Sequence, residues 1–175
     1  MIIWLMGISG AGKTTIGRML EEYFNKNGVK TYLLDGDEVR DLFDRDLGYS
    51  DADREANVKR IILGAYLLDR NGIAGIVCNI SPLEHLRALA RKKIAGYNEI
   101  YLKKDLRISM ENDVKGVYQE NIGRTQIVGI DASFDEPVNP DLVLEVDRMT
   151  EEETFQAVRA YLEQKYGPDV GGAAG

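Results

Sequence analysis

Residues 2–15 read IIWLMGISGAGKTT, a short apolar run that leads directly into a glycine-rich segment. The run has the length and composition of a buried β-strand, and the apolar residues that follow the segment recur at helical spacing. A glycine-rich turn between a strand and a helix is the setting of the P-loop pattern G-x-x-x-x-G-K-[ST]. The residues that fit this pattern are Gly7, Gly10, Gly12, Lys13 and Thr14.

The P-loop pattern predicts a site for the phosphates of a nucleotide. Glycines let successive backbone N–H groups converge on phosphate oxygens, and the positive end of the following helix points at the same anion. Lys13 is expected to neutralise the β- and γ-phosphates, and the Thr14 hydroxyl to bind Mg²⁺. The predicted nucleotide contacts are Gly7, Ser9, Gly10, Ala11, Gly12, Lys13, Thr14 and Thr15.

Length and composition favour one soluble domain. The chain has 175 residues, of which 44% are hydrophobic, enough for a full core. A net charge of −7 without a basic run argues against nucleic acid as a partner, and no stretch reaches the length of a membrane span. Cys78 is the only cysteine, so we expect no internal disulfide and a cytoplasmic location.

Apolar strands and amphipathic helices alternate along the chain, which predicts a parallel sheet. After the P-loop, strand-like runs occupy residues 29–37, 73–82, 97–104 and 141–147. We expect the domain to span residues 1–167, followed by a flexible tail at 168–175. Residues 115–140 show weak periodicity and carry Lys115 and Arg124, which favours a lid or substrate-binding loop.

Two carboxylates follow the second predicted strand. Asp35 and Asp37 flank Gly36, at the carboxyl edge of the sheet where α/β proteins bind ligands. They suit binding of Mg²⁺, with Asp35 beside Thr14 as the predicted metal residue, or acceptance of a proton from an attacking hydroxyl. The alternative is a polar turn that caps the next helix.

A second group of polar side chains follows over residues 40–57. Arg54 and Asn57 are i, i+3 neighbours on a predicted helix, and Arg40 and Tyr49 lie shortly before them. Two arginines, an asparagine and an aromatic suit a nucleotide-like anion with a stacked base. A solvated face of mixed charge is the alternative.

Three single residues have weaker signals. Ser81 ends the third strand at the carboxyl edge, where it suits either chemistry or the capping of the helix that follows. His85 has no partner at metal-ligand spacing and is read as a surface residue. Cys78 lies in an apolar run and is read as a buried structural thiol.

Several segments together resemble the adenylylsulfate kinase family. They are GISGAGKTT, LDGDEVR (34–40), LGYSDADREANVKRI (47–61), ISP (80–82), DVKGVY (113–118) and GID (129–131). Many enzymes share the P-loop, so the specific part is DGDxxR followed by LG[FY]SxxDRxxN. The resemblance covers nearly the whole chain.

The resemblance implies a fold and an activity. We expect a P-loop NTPase of the kinase type, a three-layer α/β sandwich whose five parallel strands have the order 2-3-1-4-5. Members of this family transfer the γ-phosphoryl of MgATP to the ribose 3′-hydroxyl of adenosine 5′-phosphosulfate (APS), giving PAPS in sulfate assimilation. ATP and Mg²⁺ are the implied cofactors. We expect a homodimer whose partner is a small nucleotide substrate.

The resemblance also implies roles for individual side chains. Asp37 resembles the residue that helps to deprotonate the acceptor hydroxyl, and Lys13 and Ser81 complete the predicted catalytic set. The predicted substrate contacts are Asp37, Arg40, Tyr49, Arg54, Asn57, Ile80, Ser81 and Lys115.

The chain departs from the family pattern at the base-binding position. The family usually reads FTGID, whereas residues 127–131 read IVGID, so one aromatic of the stacking pair is missing. Stacking contributes about 1–3 kcal/mol per base. An enzyme acting on another nucleotide-linked anion, such as cytidine diphosphoramidate in surface-polysaccharide modification, is therefore an alternative. A nucleotide-binding switch without transfer chemistry is a further one.

Overall fold

The computed structural model of the chain describes residues 1–105 and 134–171. The strands within these ranges are β1 (Ile2–Met6), β2 (Thr31–Asp35), β3 (Ala74–Cys78), β4 (Tyr97–Lys103) and β5 (Leu142–Glu145). The α-helices are α1 (Lys13–Lys26), α2 (Gly36–Leu42), α3 (Asp51–Arg70), α4 (Glu84–Lys93) and α5 (Glu151–Tyr166). Two short 3₁₀ helices, Val146–Arg148 and Pro168–Gly171, follow β5 and α5.

The five strands form one parallel sheet in the order β2-β3-β1-β4-β5. This confirms the predicted strand order. β1 lies at the centre, where Leu5 pairs with Cys78 on one side and Ile100 on the other. All five residues of β1 are buried, because helices cover both faces of the central strand, as its continuous apolar sequence predicts.

The sheet separates two hydrophobic clusters. Alternate residues of a strand point to opposite faces, so Ile2, Trp4 and Met6 join the core formed with α3 and α4. Ile3 and Leu5 join the second core, formed with α1 and α5. The fold is therefore the predicted three-layer sandwich, with the carboxyl ends of the strands free to carry loops.

Helix starts follow local sequence signals. Thr150 accepts a hydrogen bond from the Glu153 backbone and the Glu153 side chain accepts one from the Thr150 backbone, so a capping box begins α5. A second capping box, Ser50 with Asp53, begins α3. The sequence signal for this box is S-x-x-D at residues 50–53.

The third strand is shorter than predicted. β3 ends at Cys78, whereas the sequence suggested a strand to residue 82, and α4 begins at Glu84. Ser81 has a φ of 50°, a left-handed conformation that ends regular pairing. Pro82 has no N–H to continue a ladder. Residues 79–83 therefore form a separate loop at the carboxyl edge.

The predicted loop and tail lie partly outside the described residues. In the loop predicted for residues 115–140, residues 115–133 lie outside them, and Phe134 packs against Tyr101 with ring centroids 5.9 Å apart. In the tail, Val170 packs against the second core, and residues 172–175 lie outside the described range. Flexibility of the tail stays a prediction.

Candidate active site

The turn after β1 is built from backbone conformations that glycine adopts readily. Gly7, Gly10 and Gly12 have φ values of 146°, 75° and 84°. A side chain at Gly7 would collide with the carbonyl oxygen of Leu102 on β4. The loop therefore lies directly on the sheet edge, and its N–H groups lead into the first turn of α1, the arrangement that binds phosphate.

Two lysines contact this loop. Lys13 Nζ donates to the carbonyls of Gly7 and Ile8 at 2.9 and 2.7 Å, which holds its charge over the turn. Lys104, just after β4, donates to the Gly10 carbonyl at 3.1 Å. The sequence interpretation missed Lys104, although a lysine that directly follows a strand is at the sheet edge where ligands bind.

Asp35 joins the P-loop helix to the end of β2. Its Oδ2 accepts a hydrogen bond from Thr14 Oγ1 at 2.9 Å, and its Oδ1 accepts one from the Asp37 backbone at 2.9 Å, capping α2. The Asp35 carboxylate therefore caps α2 and also pairs with Thr14, so both interpretations of its position apply. Hydroxyl and carboxylate oxygens are suitable ligands for Mg²⁺, which also keeps waters and phosphate oxygens.

Asp37 and Arg40 lie on successive turns of α2, above the P-loop edge. Asp37 is exposed. The Arg40 guanidinium lies over the Tyr49 ring, 4.8 Å from its centroid, and Nη1 donates to the Gly48 carbonyl at 2.9 Å. Arg40 and Tyr49 are therefore in contact, and Tyr49 is 50% exposed.

Arg54 and Asn57 are both buried, so the solvated-face alternative is wrong for this pair. Arg54 Nε donates to the Tyr49 carbonyl at 2.8 Å. Burial lowers the pKa of Arg54, the nearby Arg40 charge lowers it further, and Asp51 opposes both. Arg40 and Arg54 donate to the carbonyls of two consecutive residues, Gly48 and Tyr49, and two guanidinium groups held on one short stretch favour binding of an anion there.

Asn57 connects α3 to the start of α2. Its Nδ2 donates to the Gly36 carbonyl at 3.3 Å. Its buried Oδ1 has no hydrogen-bond partner among the described residues. Buried polar atoms are usually paired, so this oxygen is available to a ligand at the strand edge.

The loop after β3 places Asn79, Ile80 and Ser81 beside β1. Ser81 is 1% exposed, and its Oγ accepts hydrogen bonds from Trp4 Nε1 at 2.8 Å and Asn79 Nδ2 at 3.2 Å. Ser81 does not cap the next helix, because Leu83 occupies that position. Asn79 was not among the predicted site residues, although it shares this edge.

Cys78 and His85 behave as the sequence suggested. Burial raises the pKa of Cys78 to about 12, and its Sγ contacts the Lys13 carbonyl at 3.3 Å, behind the P-loop. His85 is exposed and lies 3.7 Å from Glu55. Among the described residues, no group of three or more His, Cys, Asp or Glu side chains could hold a metal ion.

A comparison with family models decides the relationship. The model described as adenylylsulphate kinase matches residues 1–145. The chain belongs to the adenylylsulfate kinase family. An adenylyl-sulfate kinase of Halothermothrix orenii is 39% identical over 165 residues, covering 93% of this chain and 89% of that protein. A probable adenylyl-sulfate kinase of Pyrococcus abyssi is 39% identical over 158 residues, 89% of this chain and 91% of that protein.

Solved structures agree with this membership of the adenylylsulfate kinase family. The APS kinase CysC of Mycobacterium tuberculosis, in complex with AMPPNP and APS, superposes with a TM-score of 0.85 at 36% identity. The match covers 93% of this chain and 96% of that one. A sugar kinase from Janibacter at 16% identity and a TM-score of 0.62 shares the fold alone.

The kinase fold gathers most of the predicted residues at one edge of the sheet. The P-loop follows β1, Asp35 ends β2 and Asp37 lies just after it. The loop around Ser81 follows β3. Lys115 lies outside the described residues. No helix within residues 1–105 and 134–171 combines the length and apolar composition of a membrane span.

Proposed function

We propose that this chain transfers the γ-phosphoryl of ATP to the 3′-hydroxyl of APS, giving PAPS and ADP. The observation that carries the proposal is the meeting of two groups at one sheet edge. A P-loop with Lys13 and Thr14 joins, through the Thr14–Asp35 hydrogen bond, to the helix that bears Asp37 and Arg40. The adenylylsulfate kinase relatives support the same reaction.

The donor side consists of the P-loop, Lys13, Thr14 and Asp35. The loop N–H groups and Lys13 hold the phosphates, because they carry the positive charge at this edge. Thr14 and Asp35 would hold Mg²⁺, whose chemistry when bound is to neutralise charge on the phosphate oxygens. Catalysis by this side is mainly positioning and charge stabilisation.

The acceptor side consists of Asp37, Arg40, Arg54 and Asn57, with Tyr49 against the base. Asp37 accepts the proton of the 3′-hydroxyl. The 3′-oxygen bonds to the γ-phosphorus while the bond between that phosphorus and the ADP oxygen breaks. Arg40 and Arg54 bind the phosphosulfate, which a chain of net charge −7 can attract only through local cations. Ile80, Ser81 and Lys115 are the remaining acceptor contacts of this proposal.

The direct test is product identity. Purified protein with MgATP and APS should release ADP and PAPS in equal amounts, measured by ion-exchange chromatography and mass spectrometry. Omitting APS should stop ADP release. ATP consumption that does not depend on an acceptor, or binding of ATP without consumption, would contradict the proposal and favour a nucleotide-dependent switch.

A different nucleotide-linked anion is the second candidate acceptor. The specific observation is Ile127–Val128 in place of the usual Phe-Thr, since it removes an aromatic face without adding a hydrogen-bonding reader of the base. Cytidine diphosphoramidate fits this difference because a single aromatic stacks on any base. The two acceptors are told apart by a side-by-side assay.

The proposed assembly is a homodimer in the cytoplasm. Exposed Leu63 and Leu67 lie one turn apart on α3, and exposed apolar groups that adjoin each other favour protein contacts. A family relative from Thiobacillus denitrificans is described as hexameric, although the match covers only 29% of that chain. Sedimentation of the purified protein at micromolar concentration tests the proposal, and a monomer would contradict it.

A further inference from the structure

Arg87 on α4 is a buried cation that belongs to neither half of the site described above. It is 1% exposed and is among the largest fully buried side chains. Burial of a guanidinium destabilises a fold by several kcal/mol unless polar groups surround it. Its described partners are the carbonyls of Ser81 and Asp135 and the carboxylates of Glu84 and Glu99.

On the site side, Arg87 fixes the loop after β3. Its Nη1 donates to the Ser81 carbonyl at 2.6 Å. Ser81 has a left-handed φ of 50°, which is unfavourable for a residue other than glycine. Trp4 and Asn79 hold the Ser81 hydroxyl from the other side. Ser81 is therefore held in a strained conformation by contacts at both its carbonyl and its side chain.

On the opposite side, Arg87 contacts Asp135. Its Nη2 donates to the Asp135 carbonyl at 2.7 Å. The Asp135 backbone donates to the Pro82 carbonyl at 2.9 Å, and its Oδ2 accepts from the Glu84 backbone at 3.0 Å. Since Leu83 provides no cap, Asp135 caps α4 from 51 residues away.

We propose that Arg87 is a positioning residue for the acceptor, holding the Ser81 loop and the Phe134–Asp135 segment in one fixed arrangement. The inference rests on the proposed function, in which Ser81 lies on the acceptor side. The two Nη groups of Arg87 donate to the carbonyls of Ser81 and Asp135, which are 54 positions apart in the chain. A side chain without this forked pair of donors would therefore release both segments. The P-loop lies against the Leu102 carbonyl and accepts a hydrogen bond from Lys104, and the described partners of Arg87 lie outside it, so we expect ATP binding not to depend on Arg87.

Arg91 provides a matched control on the same helix. It lies one turn after Arg87 and contacts the same carboxylate, with Nη2 3.4 Å from Glu99. Its other bonds go to Asp141 at 3.0 Å and the Asn139 carbonyl at 3.2 Å, away from Ser81. Arg91 is 40% exposed and Arg87 is 1% exposed, so Arg91 controls for loss of an α4 guanidinium, and the difference between the KM values for APS and for ATP separates positioning from a loss of stability.

The test compares Arg87→Lys with Arg91→Lys, because both substitutions keep the charge and remove the fork. With APS varied at saturating MgATP, we expect Arg87→Lys to raise the KM for APS by about tenfold or more. The KM for ATP should stay within about twofold, and Arg91→Lys should change neither KM by more than this. An unchanged KM for APS, an equal rise for ATP, or the same effect in Arg91→Lys would overturn the inference.

Hydrogen exchange gives a readout that does not depend on turnover. Arg87→Lys should speed exchange of the Glu84 and Asp135 amides, whose acceptors lie in the joined segments, and leave the Asp141 amide unchanged. Unchanged exchange at Glu84 and Asp135 would contradict the proposed fixation.

A milder variant covers the outcome in which Arg87→Lys does not fold. Glu84 is a partly exposed carboxylate that pairs with Arg87 Nη2, so Glu84→Gln should fold, weaken the hold on this guanidinium and raise the KM for APS by about threefold with that for ATP unchanged. No change in either KM would overturn the inference. If the wild type shows APS-dependent turnover and the variants have the same KM for APS, only this inference is contradicted. If the wild type shows no APS-dependent turnover, the proposed function is contradicted as well.

Discussion

The donor and acceptor halves of the site present different chemical groups to their ligands. The donor half is mostly backbone, with Gly7 packed against the Leu102 carbonyl and Gly12 in a left-handed conformation before α1. The acceptor half is mostly side chains that hold one another, with Arg40 over the Tyr49 ring and Arg54 on the Tyr49 carbonyl. A backbone site binds what all nucleoside triphosphates share. A side-chain site can change its ligand through single substitutions.

Loss of Lys13 should have the largest effect, because it removes the only side-chain cation in the P-loop motif itself. We expect Lys13→Ala to lower kcat on the order of a thousandfold, measured by APS-dependent ADP release. Lys26→Ala is the control, since it makes the same charge change at the other end of α1, where Lys26 pairs with Glu22. A variant at Lys13 with near-normal turnover would show that the P-loop is not the catalytic cradle.

Glycine substitutions sharpen the claim that the donor half is backbone. Gly7→Ala should lower the free energy of unfolding by more than about 3 kcal/mol, because its Cβ would meet the Leu102 carbonyl. Gly28 also has a positive φ, 77°, but open space around it. Gly28→Ala should therefore lose only about 1 kcal/mol. Urea denaturation of both variants is the measurement, and equal losses would contradict the packing argument.

Asp37 tests the acceptor half without disturbing the donor half. We expect Asp37→Asn to lower kcat by about a hundredfold, because the acceptor hydroxyl loses its proton acceptor. ATP affinity, measured by calorimetry, should be unchanged. Glu38→Gln changes the neighbouring exposed carboxylate, which bonds to Tyr32, and serves as control. Normal turnover in Asp37→Asn would show that Asp37 is not the proton acceptor of the transfer.

The smallest effect at neutral pH concerns the thiol behind the P-loop. Burial raises the pKa of Cys78 from 9.0 to about 12, so the folded state keeps the proton that the unfolded state releases. This contribution to stability is complete below pH 9 and is lost between pH 9 and about 12. Relative to Cys78→Ala, the wild type should lose about 1.4 kcal/mol per pH unit in this window. Free energies of unfolding that change equally with pH in the two proteins between pH 9 and about 12 would contradict this prediction.

The sequence was sufficient for features that depend on local patterns. The continuous apolar run of β1, the P-loop glycines and the Thr150 capping box each follow from residues close together in the chain. Strand order followed from the family resemblance and is confirmed. The burial of Arg54 and Asn57 was not predictable from the sequence, because it depends on how other elements pack around α3.

The same limit explains what the sequence reading missed at α4. Arg87 occurs in a helix rich in basic residues, where an exposed side chain is the usual expectation. Its partner Asp135 is 48 residues away, and Glu99 lies on a neighbouring strand. Lys104 is similar, since its bond to Gly10 spans 94 residues. Contacts of this kind depend on the assembled fold and leave no periodic signal.

The acceptor preference tests the account most directly. A coupled assay of ATP consumption should give kcat/KM for APS and for cytidine diphosphoramidate side by side, with the Ile127→Phe variant measured in parallel. We expect the higher efficiency with APS, and a further rise for APS in Ile127→Phe, because about 1–3 kcal/mol of stacking is restored. An efficiency for APS about a hundredfold or more below that for the cytidine compound would contradict the proposed acceptor.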